Sequence, residues 1–420
     1  MLLLAACTGP DKDDTAAPAG PTLDEGPGQL YGEGAALAGT SVGAGDMDGD
    51  GVDELIVGAL GAEMVCAWTG PLVGDQELED GACTTSAEAY DYLGTSLAVG
   101  QGLLLGIPGA DGDATDAGAA VWTPALFGTL TGVTWYGEAA LDGFGTAVAF
   151  AGDLDGDGSE ERAFGAPGSD RGGADGGAVW LVGAETWVIQ GGDGAVEAGK
   201  HATTVTGDAV GSAICDGTDL DGDGVIDLVV GAPGWDAGAE DGGSFAVWYG
   251  PVVPADTRFA DADTVVTGTR AGGWLGGSLD CGGDTDGDGL GEVAAGADGD
   301  ARAWLWRGGT LDTYVAGDPG DQLGYDVAFA GDRLAVGAPS SDAPSADTGS
   351  VLVYRSPSGA LERADADAVW TGVGAGDLAG SAIAGVANAD GAGTPGLLVG
   401  APYARDPNPV GGGAWVVLLQ

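Results

Sequence analysis

Four short stretches of this chain carry carboxylates at a spacing suited to holding a cation. In the run DLDGDGVIDLVVGAP, Asp219, Asp221, Asp223 and Asp227 take the first, third, fifth and ninth places, with Gly224 sixth and Val225 seventh. Glycine in the sixth place tolerates the positive φ of a tight turn, and the seventh residue can offer its carbonyl oxygen. The pattern recurs as Asp46, Asp48, Asp50, Val52 and Glu54, as Asp153, Asp155, Asp157, Ser159 and Glu161, and as Asp284, Asp286, Asp288, Leu290 and Glu292. Four carboxylates gathered in so short a loop repel one another, and a cation reverses the sign of that interaction. Oxygen-only donors on a flexible turn suit Ca2+. Zn2+ would want Cys or His, and Mg2+ resists the dehydration that several carboxylates in one loop demand. The loops are not EF-hands, because their twelfth residues are Val57, Phe164, Val230 and Ala295 where an EF-hand places Glu. The expectation is about four structural Ca2+ ions.

Each loop runs at once into a short apolar segment ending in Gly-Ala-Pro or a variant of it, which reads as a buried strand. Aligned on that glycine, seven units appear, at Gly58, Gly106, Gly165, Gly231, Gly296, Gly337 and Gly400. Upstream of each lies a second glycine signal, as in Leu93-Gly94-Thr95, Phe144-Gly145-Thr146 and Val210-Gly211-Ser212. Downstream comes a third strand with an aromatic residue: Trp68, Trp122, Trp180, Trp248, Trp304, Tyr354 or Trp415. These aromatics are expected to pack between neighbouring sheets. A weaker fourth strand ends in Thr-Gly or Tyr-Gly, as in TWYG, TVTG, VVTG and VWTG. Four strands in each of seven units, with no long amphipathic helix, predict an all-β, seven-bladed β-propeller over residues 29–420. The last unit stops after three strands. The stretch Gln29–Gly32 reads as the missing fourth, closing the ring from the N-terminus and hiding an edge.

The alternation of FG-like and GAP-like signals with DxDGDGxx(D/E) between them resembles the FG-GAP repeats of integrin alpha-subunit propellers and their bacterial relatives. That resemblance covers residues 29–420. It implies a seven-bladed propeller, Ca2+ in the loops between first and second strands, and ligand recognition on the opposite rim. By position, the loops opening at Asp46, Asp153, Asp219 and Asp284 take the role of Ca2+ ligands, in blades 1, 3, 4 and 5. Three units depart from the family pattern. The second and sixth pass from Gln101 and Asp332 directly into LLLGIPG and RLAVGAPS without a loop. The seventh keeps Asn388 and Asp390 but has Ala392 and Gly396 at its fifth and ninth places, a dead or very weak site.

Composition narrows the function. The net charge of −53 excludes nucleic acid or an anionic membrane face as an electrostatic partner. Four divalent ions would offset only a small part of that charge, so most of it reads as a solubilising surface. Glycine is 86 of 420 residues without a three-residue period, which suits many tight turns rather than a collagen helix. Leu4-Ala5-Ala6-Cys7 resembles a lipoprotein lipobox after a short apolar start, so residues 1–6 read as a truncated lipoprotein signal with Cys7 as the lipidation site. Residues 7–28, rich in Asp, Pro, Ala and Gly, read as a flexible acidic tether. The remaining cysteines are even in number. Cys66 and Cys83 flank one turn region, and Cys215 and Cys281 fall one column apart in successive first strands, so two disulfides are expected alongside the alternative of free thiols.

These features predict a non-catalytic, exported binding or adhesion propeller. It would be lipid-anchored at the bacterial cell envelope (the outer membrane) or secreted, with a protein or glycan ligand on the rim. The candidate contacts are Asp170, Arg171, Trp235, Asp342, Tyr403 and Arg405 after the GAP strands, with Trp135, Tyr136 and Trp274 ahead of the following blades. A carbohydrate-active lyase or hydrolase is the alternative. It is disfavoured by an inventory of one histidine, His201, beside Lys200, and by patterned carboxylates already assigned to metal. A purely structural envelope component is a third reading.

Overall fold

The computed structural model describes residues 21–86, 90–112, 114–124, 132–171, 173–191, 207–342, 344–405 and 411–419. Its strands form seven mostly four-stranded antiparallel sheets arranged as a β-propeller. In the first blade Ala38–Gly45 lines the axis and is followed outward by Glu54–Ala59, Met64–Trp68 and Ala82–Thr85. Second strands such as Glu54–Ala59, Gly102–Ile107 and Leu228–Ala232 are buried at every position. Their continuous apolar runs follow from being packed on both faces by neighbouring sheets. Ile56 and Val65 of the first blade share a core cluster with Leu103, Leu105 and Val121 of the second. Each such side chain contributes roughly 1.5–3 kcal/mol on burial.

The two glycine signals meet at the seams between blades. The first-signal glycines, Gly39, Gly94, Gly145, Gly211, Gly276, Gly324 and Gly380, all have φ between 79° and 87°, which other residues adopt only under strain. In the second blade the N–H of Gly94 donates to the carbonyl of Gly106 in its own sheet at 2.9 Å. The Gly94 carbonyl points at Gly58 of the first blade, where an added Cβ would lie 2.7 Å from it. Gly106 meets Gly145 in the same way at 1.9 Å, and Gly400 of the last blade meets Gly39 of the first at 2.1 Å. The repeat keeps glycine at both places because backbone touches backbone there.

A second set of contacts links the inner strands around the axis. Ser96 donates to the Gly145 carbonyl at 2.8 Å and Ser278 to that of Gly324 at 3.1 Å. At three other places a carboxylate accepts an N–H from the adjacent blade: Asp216 from Phe150, Asp280 from Phe329, and Asp326 from Ile383. Asp53 accepts from Ala387 and Asn388, joining the first blade to the seventh. Between blades four and five the link is covalent, Cys215–Cys281, while Cys66–Cys83 bonds directly opposed residues within blade one.

Several expectations need correction. The chain joins the ring before residue 29: Leu23–Glu25 is a short 3-10 helix, Leu23 is fully buried beside Val417 and Leu419, and Gly28–Tyr31 pairs antiparallel with Gly413–Leu418. Residues 22–28 are therefore packed structure rather than tether. Residues 1–20, including Cys7, lie outside the described residues. The fourth strand of blade three is Thr186–Gln190, a hairpin with Ala178–Val182 that buries Trp187 and Ile189, not TVTG, most of which lies outside the described residues together with Lys200 and His201. The third-strand aromatics do not share one register. Trp180 pairs with Phe164 and Trp304 with Ala295, the residues just before their blades' GAP glycines. Trp122 pairs with Leu104, one residue further back, so it turns to the other face and carries Arg162 over its ring at 4.9 Å. Blade four has only isolated bridges, Ile214 to Val230 and Thr218 to Asp227, in place of a regular inner strand.

Asp216, Asp280 and Asp326 border one axial cavity of about 640 Å³. Asp216 is exposed to the cavity and Asp280 and Asp326 are half-buried, yet the inner strands surround the cavity, and desolvation pushes Asp216 to about 6 and Asp280 and Asp326 to about 7. The folded ring thus holds these protons more tightly than the unfolded chain. The resulting stabilisation is complete below about pH 4 and is lost as pH rises through 6 to 7. An Asp280→Asn/Asp326→Asn variant should be the more stable form at pH 8, by on the order of 1–2 kcal/mol after allowance for their partial exposure to the cavity. It should also lose part of the wild-type rise in Tm between pH 8 and pH 5. Thermal melts that give the two proteins the same pH slope would refute this role.

Candidate metal centres

All four acidic loops fold the same way. The first aspartate caps the turn: Asp46 accepts N–H bonds from Gly49 and Gly51, Asp219 from Gly222 and Gly224, Asp284 from Gly287 and Gly289, and Asp153 from Gly158. The third accepts from the fifth, as Asp221 does from Asp223 at 3.1 Å. The fifth accepts from the seventh, so the N–H groups of Val52, Ser159, Val225 and Leu290 are held by Asp50, Asp157, Asp223 and Asp288. Glycines at the fourth and sixth places have φ of 77° to 91°. The ninth carboxylate opens the second strand and reaches back into the loop, Glu161 to the N–H of Leu154 at 2.9 Å and Asp227 to that of Leu220 at 2.7 Å. Loop and strand are thereby one unit.

This folding brings three carboxylates of each loop together, with oxygens within 4.8 Å of one another: Asp46, Asp48 and Asp50; Asp153, Asp155 and Glu161; Asp219, Asp221 and Asp227; Asp284, Asp286 and Glu292. The remaining acid of each pattern, Glu54, Asp157, Asp223 or Asp288, stands outside its group. Burial, with the loop's other carboxylates adding to it, pushes Glu54, Glu161 and Asp227 above the ordinary carboxylate range. In the third blade Asp153 Oδ1 and Glu161 Oε1 are buried without any hydrogen-bond donor. Two orphaned oxygens inside an oxygen-only cluster fit a bound cation, since an unpaired buried carboxylate oxygen is otherwise strongly disfavoured.

The seventh-blade loop is built differently. Asn388 accepts from Gly393, and its side-chain amide donates to the Gly51 carbonyl of the first-blade loop. Asp390 accepts from the backbone N–H groups of Ala392 and Thr394, and the Thr394 hydroxyl first, then these N–H groups, hold its carboxyl below the usual range. No carboxylates crowd there, and the loop serves as a seam contact. The second and sixth blades turn directly from Leu97–Gly100 into Gly102–Ile107 and from Val327–Ala330 into Arg333–Ala338.

Because the strands alternate in direction, the GAP loops and the blade-to-blade connections lie at the end opposite the acidic loops. Every strongly exposed aromatic among the described residues lies there: Tyr90, Tyr92, Tyr136, Trp274, Tyr325 and Tyr403. Tyr136, Trp274 and Tyr403 were expected; Tyr90, Tyr92 and Tyr325 were missed, although all three precede or follow the first glycine signal. Trp235 is corrected. It is 5% exposed and packs on Phe259 at 4.8 Å, so it serves the core. Trp135 packs on Phe164 at 4.9 Å. Arg171 is bound to Glu138 at 2.8 Å and lies over Trp180. Asp170 and Asp342 are exposed but cap their own turns, accepting from Asp175 and Asp347. Arg405 is exposed. The channel aspartates were also missed; an acid at an inner-strand position where other repeats carry small or apolar residues was the available signal.

Residues 38–63 and 316–354 each match a family model described as FG-GAP repeat. The chain is 32% identical over 202 residues to integrin alpha-5 of Xenopus laevis, which is 48% of this chain and 15% of the integrin. The chain thus spans less than a sixth of that relative's length. Among solved structures, virginiamycin B lyase from Staphylococcus aureus superposes with a TM-score of 0.45 at 7% identity, covering 93% of this chain and 98% of the lyase. A catalytically inactive form of that lyase with quinupristin gives 0.46 at 10% identity, with the same coverage.

The crowding in the third-blade loop has a measurable sign. In metal-free buffer at pH 7, Glu161→Gln removes a buried charge that has no counter-ion, so the variant should melt at or above the wild-type temperature. A fall of several degrees under those conditions would show that the carboxylate is satisfied without a cation.

Proposed function

From the premise that this chain is an FG-GAP, integrin alpha-like β-propeller, we propose that it is a non-catalytic binding or adhesion module. In this reading Ca2+ stiffens the loops of blades 1, 3, 4 and 5, and the opposite rim carries the ligand. The observation that carries it is the pairing of two ends: all-oxygen clusters with orphaned buried carboxylate oxygens at one, exposed aromatics at the other. Bound Ca2+ would supply positive charge at the point where the carboxylates converge. The chain's own residues tie the first strand to the second through the ninth carboxylate, so metal affinity would appear as fold stability.

Two disulfides and the integrin relative support an exported protein. Anchoring through a lipid at Cys7, at a bacterial outer membrane, is part of the proposal, with secretion as its alternative. Extracellular Ca2+ modules bind at roughly 10⁻⁴–10⁻³ M, an affinity that suffices outside the cell. A rim of Tyr and Trp among acidic turns suits a protein surface or a glycan and repels polyanions.

A catalytic channel is the second reading. It is favoured by the titration of Asp216, Asp280 and Asp326 near neutrality around one cavity. Each of them already accepts a backbone N–H, a use that needs no substrate.

Two measurements test the first reading. Chelation should lower Tm by several degrees, and millimolar Ca2+ should restore it. In Ca2+, Glu161→Gln should melt below wild type, reversing the metal-free order. A midpoint indifferent to chelator would remove the structural metal. On arrays of proteins and glycans probed with Ca2+-loaded protein, binding should be lost in Trp274→Ala/Tyr403→Ala. Silence across a broad panel, or retention by that variant, would count against the rim.

A further inference from the structure

The four loops differ in what faces the ninth carboxylate across the sheet. Leu55 pairs with Trp68, Arg162 with Val182, Leu228 with Trp248 and Val293 with Trp306. The next residues outward, opposite Glu54, Glu161, Asp227 and Glu292, are therefore Thr69, Gly183, Tyr249 and Arg307. Only the fifth blade places a cation there. Arg307 Nε lies 2.9 Å from Glu292 Oε1 and 3.8 Å from Asp286 Oδ2, and one of its terminal nitrogens bonds Thr285 Oγ1 at 2.6 Å and the Pro357 carbonyl at 2.7 Å. Its side chain is 16% exposed and that of Glu292 3%, so solvent screens the pair poorly.

The consequence is visible in the oxygens. Glu292 Oε1 accepts from Thr285 N, Asp286 N and Arg307, and Oε2 accepts from the Thr285 hydroxyl at 2.6 Å. In the third blade, Glu161 Oε1 has no donor and Gly183 leaves the facing place empty; a Cβ there would fall 1.9 Å from that oxygen. We propose that Arg307 is a built-in counter-ion of the fifth-blade loop. This loop then stays folded without metal and binds Ca2+ at least about tenfold more weakly than the loops of blades 1, 3 and 4. The inference rests on the metal reading above. Physically, a fixed guanidinium repels the incoming cation and already neutralises one of the carboxylates that would hold it.

Calorimetric titration of the metal-free full chain with Ca2+ tests it. Wild type should show three comparable sites and a fourth at least about tenfold weaker. Arg307→Met should bring the fourth into line, whereas Arg355→Met, at an exposed arginine, should change nothing. Glu292→Gln should abolish the weak site and keep the other three. Four equal sites in wild type, or loss of a tight site in Glu292→Gln, would overturn the inference while leaving the metal reading intact. Absence of any bound Ca2+ would overturn both. Should Arg307→Met fail to fold, the wild-type isotherm and Glu292→Gln decide the matter alone.

Discussion

The ring depends on backbone meeting backbone at its seams. At each seam the carbonyl of one blade's first-signal glycine rests against the GAP glycine of the preceding blade, at a distance where a side chain has no room. Inner strands can converge on the axis only because neither partner has a Cβ and because the first glycine adopts a left-handed φ. At six of the seven seams alanine at either position would meet main chain first; between blades one and two it would meet the Ser41 and Val65 side chains. The converging inner strands also leave edge N–H groups facing the neighbouring blade. Aspartates accept those N–H groups at some seams, while elsewhere a serine hydroxyl donates to the neighbouring glycine carbonyl or a disulfide spans the gap.

That constraint explains what was legible in the sequence. Contacts between backbones demand a single residue type, so the glycines repeat in register and give the blade number. The acidic loops are legible for a similar reason: the first, third and fifth carboxylates cap N–H groups two, three or five residues on and the ninth caps one seven residues back, which fixes the spacing as well as the composition. Side-chain packing imposes no such rule. Trp235 and Trp135 look like rim residues by position, yet Trp235 is buried against Phe259 and Trp135 packs half-buried on Phe164. The fourth strand of blade three was misplaced because TVTG matches the local pattern, while Thr186–Gln190 wins through the burial of Trp187 and Ile189. Arg307 was unreadable for another reason. Its partner lies across a strand pair, and only the register of the sheet puts the two opposite each other.

The two ends of the blades divide the work. At one end, like charges are concentrated where short loops join first strands to second, and the loops differ in how far the protein itself offsets that charge. The third blade leaves oxygens unpaired, the fifth supplies an arginine, and the seventh replaces acids by an amide that reaches the first blade. At the other end the connections carry the exposed aromatics. Rigid sheets between the two ends keep the rim's geometry independent of the flexibility of any one connection.

The central claim is that the acidic loops are cation sites. A crystal structure of the protein grown in millimolar Ca2+ tests it most directly. An ion is expected in each of the loops of blades 1, 3 and 4, with carboxylate oxygens at about 2.3–2.6 Å and Glu161 among the ligands in the third. Loops with their carboxylates splayed into solvent and no ion between them, at that Ca2+ concentration, would contradict it.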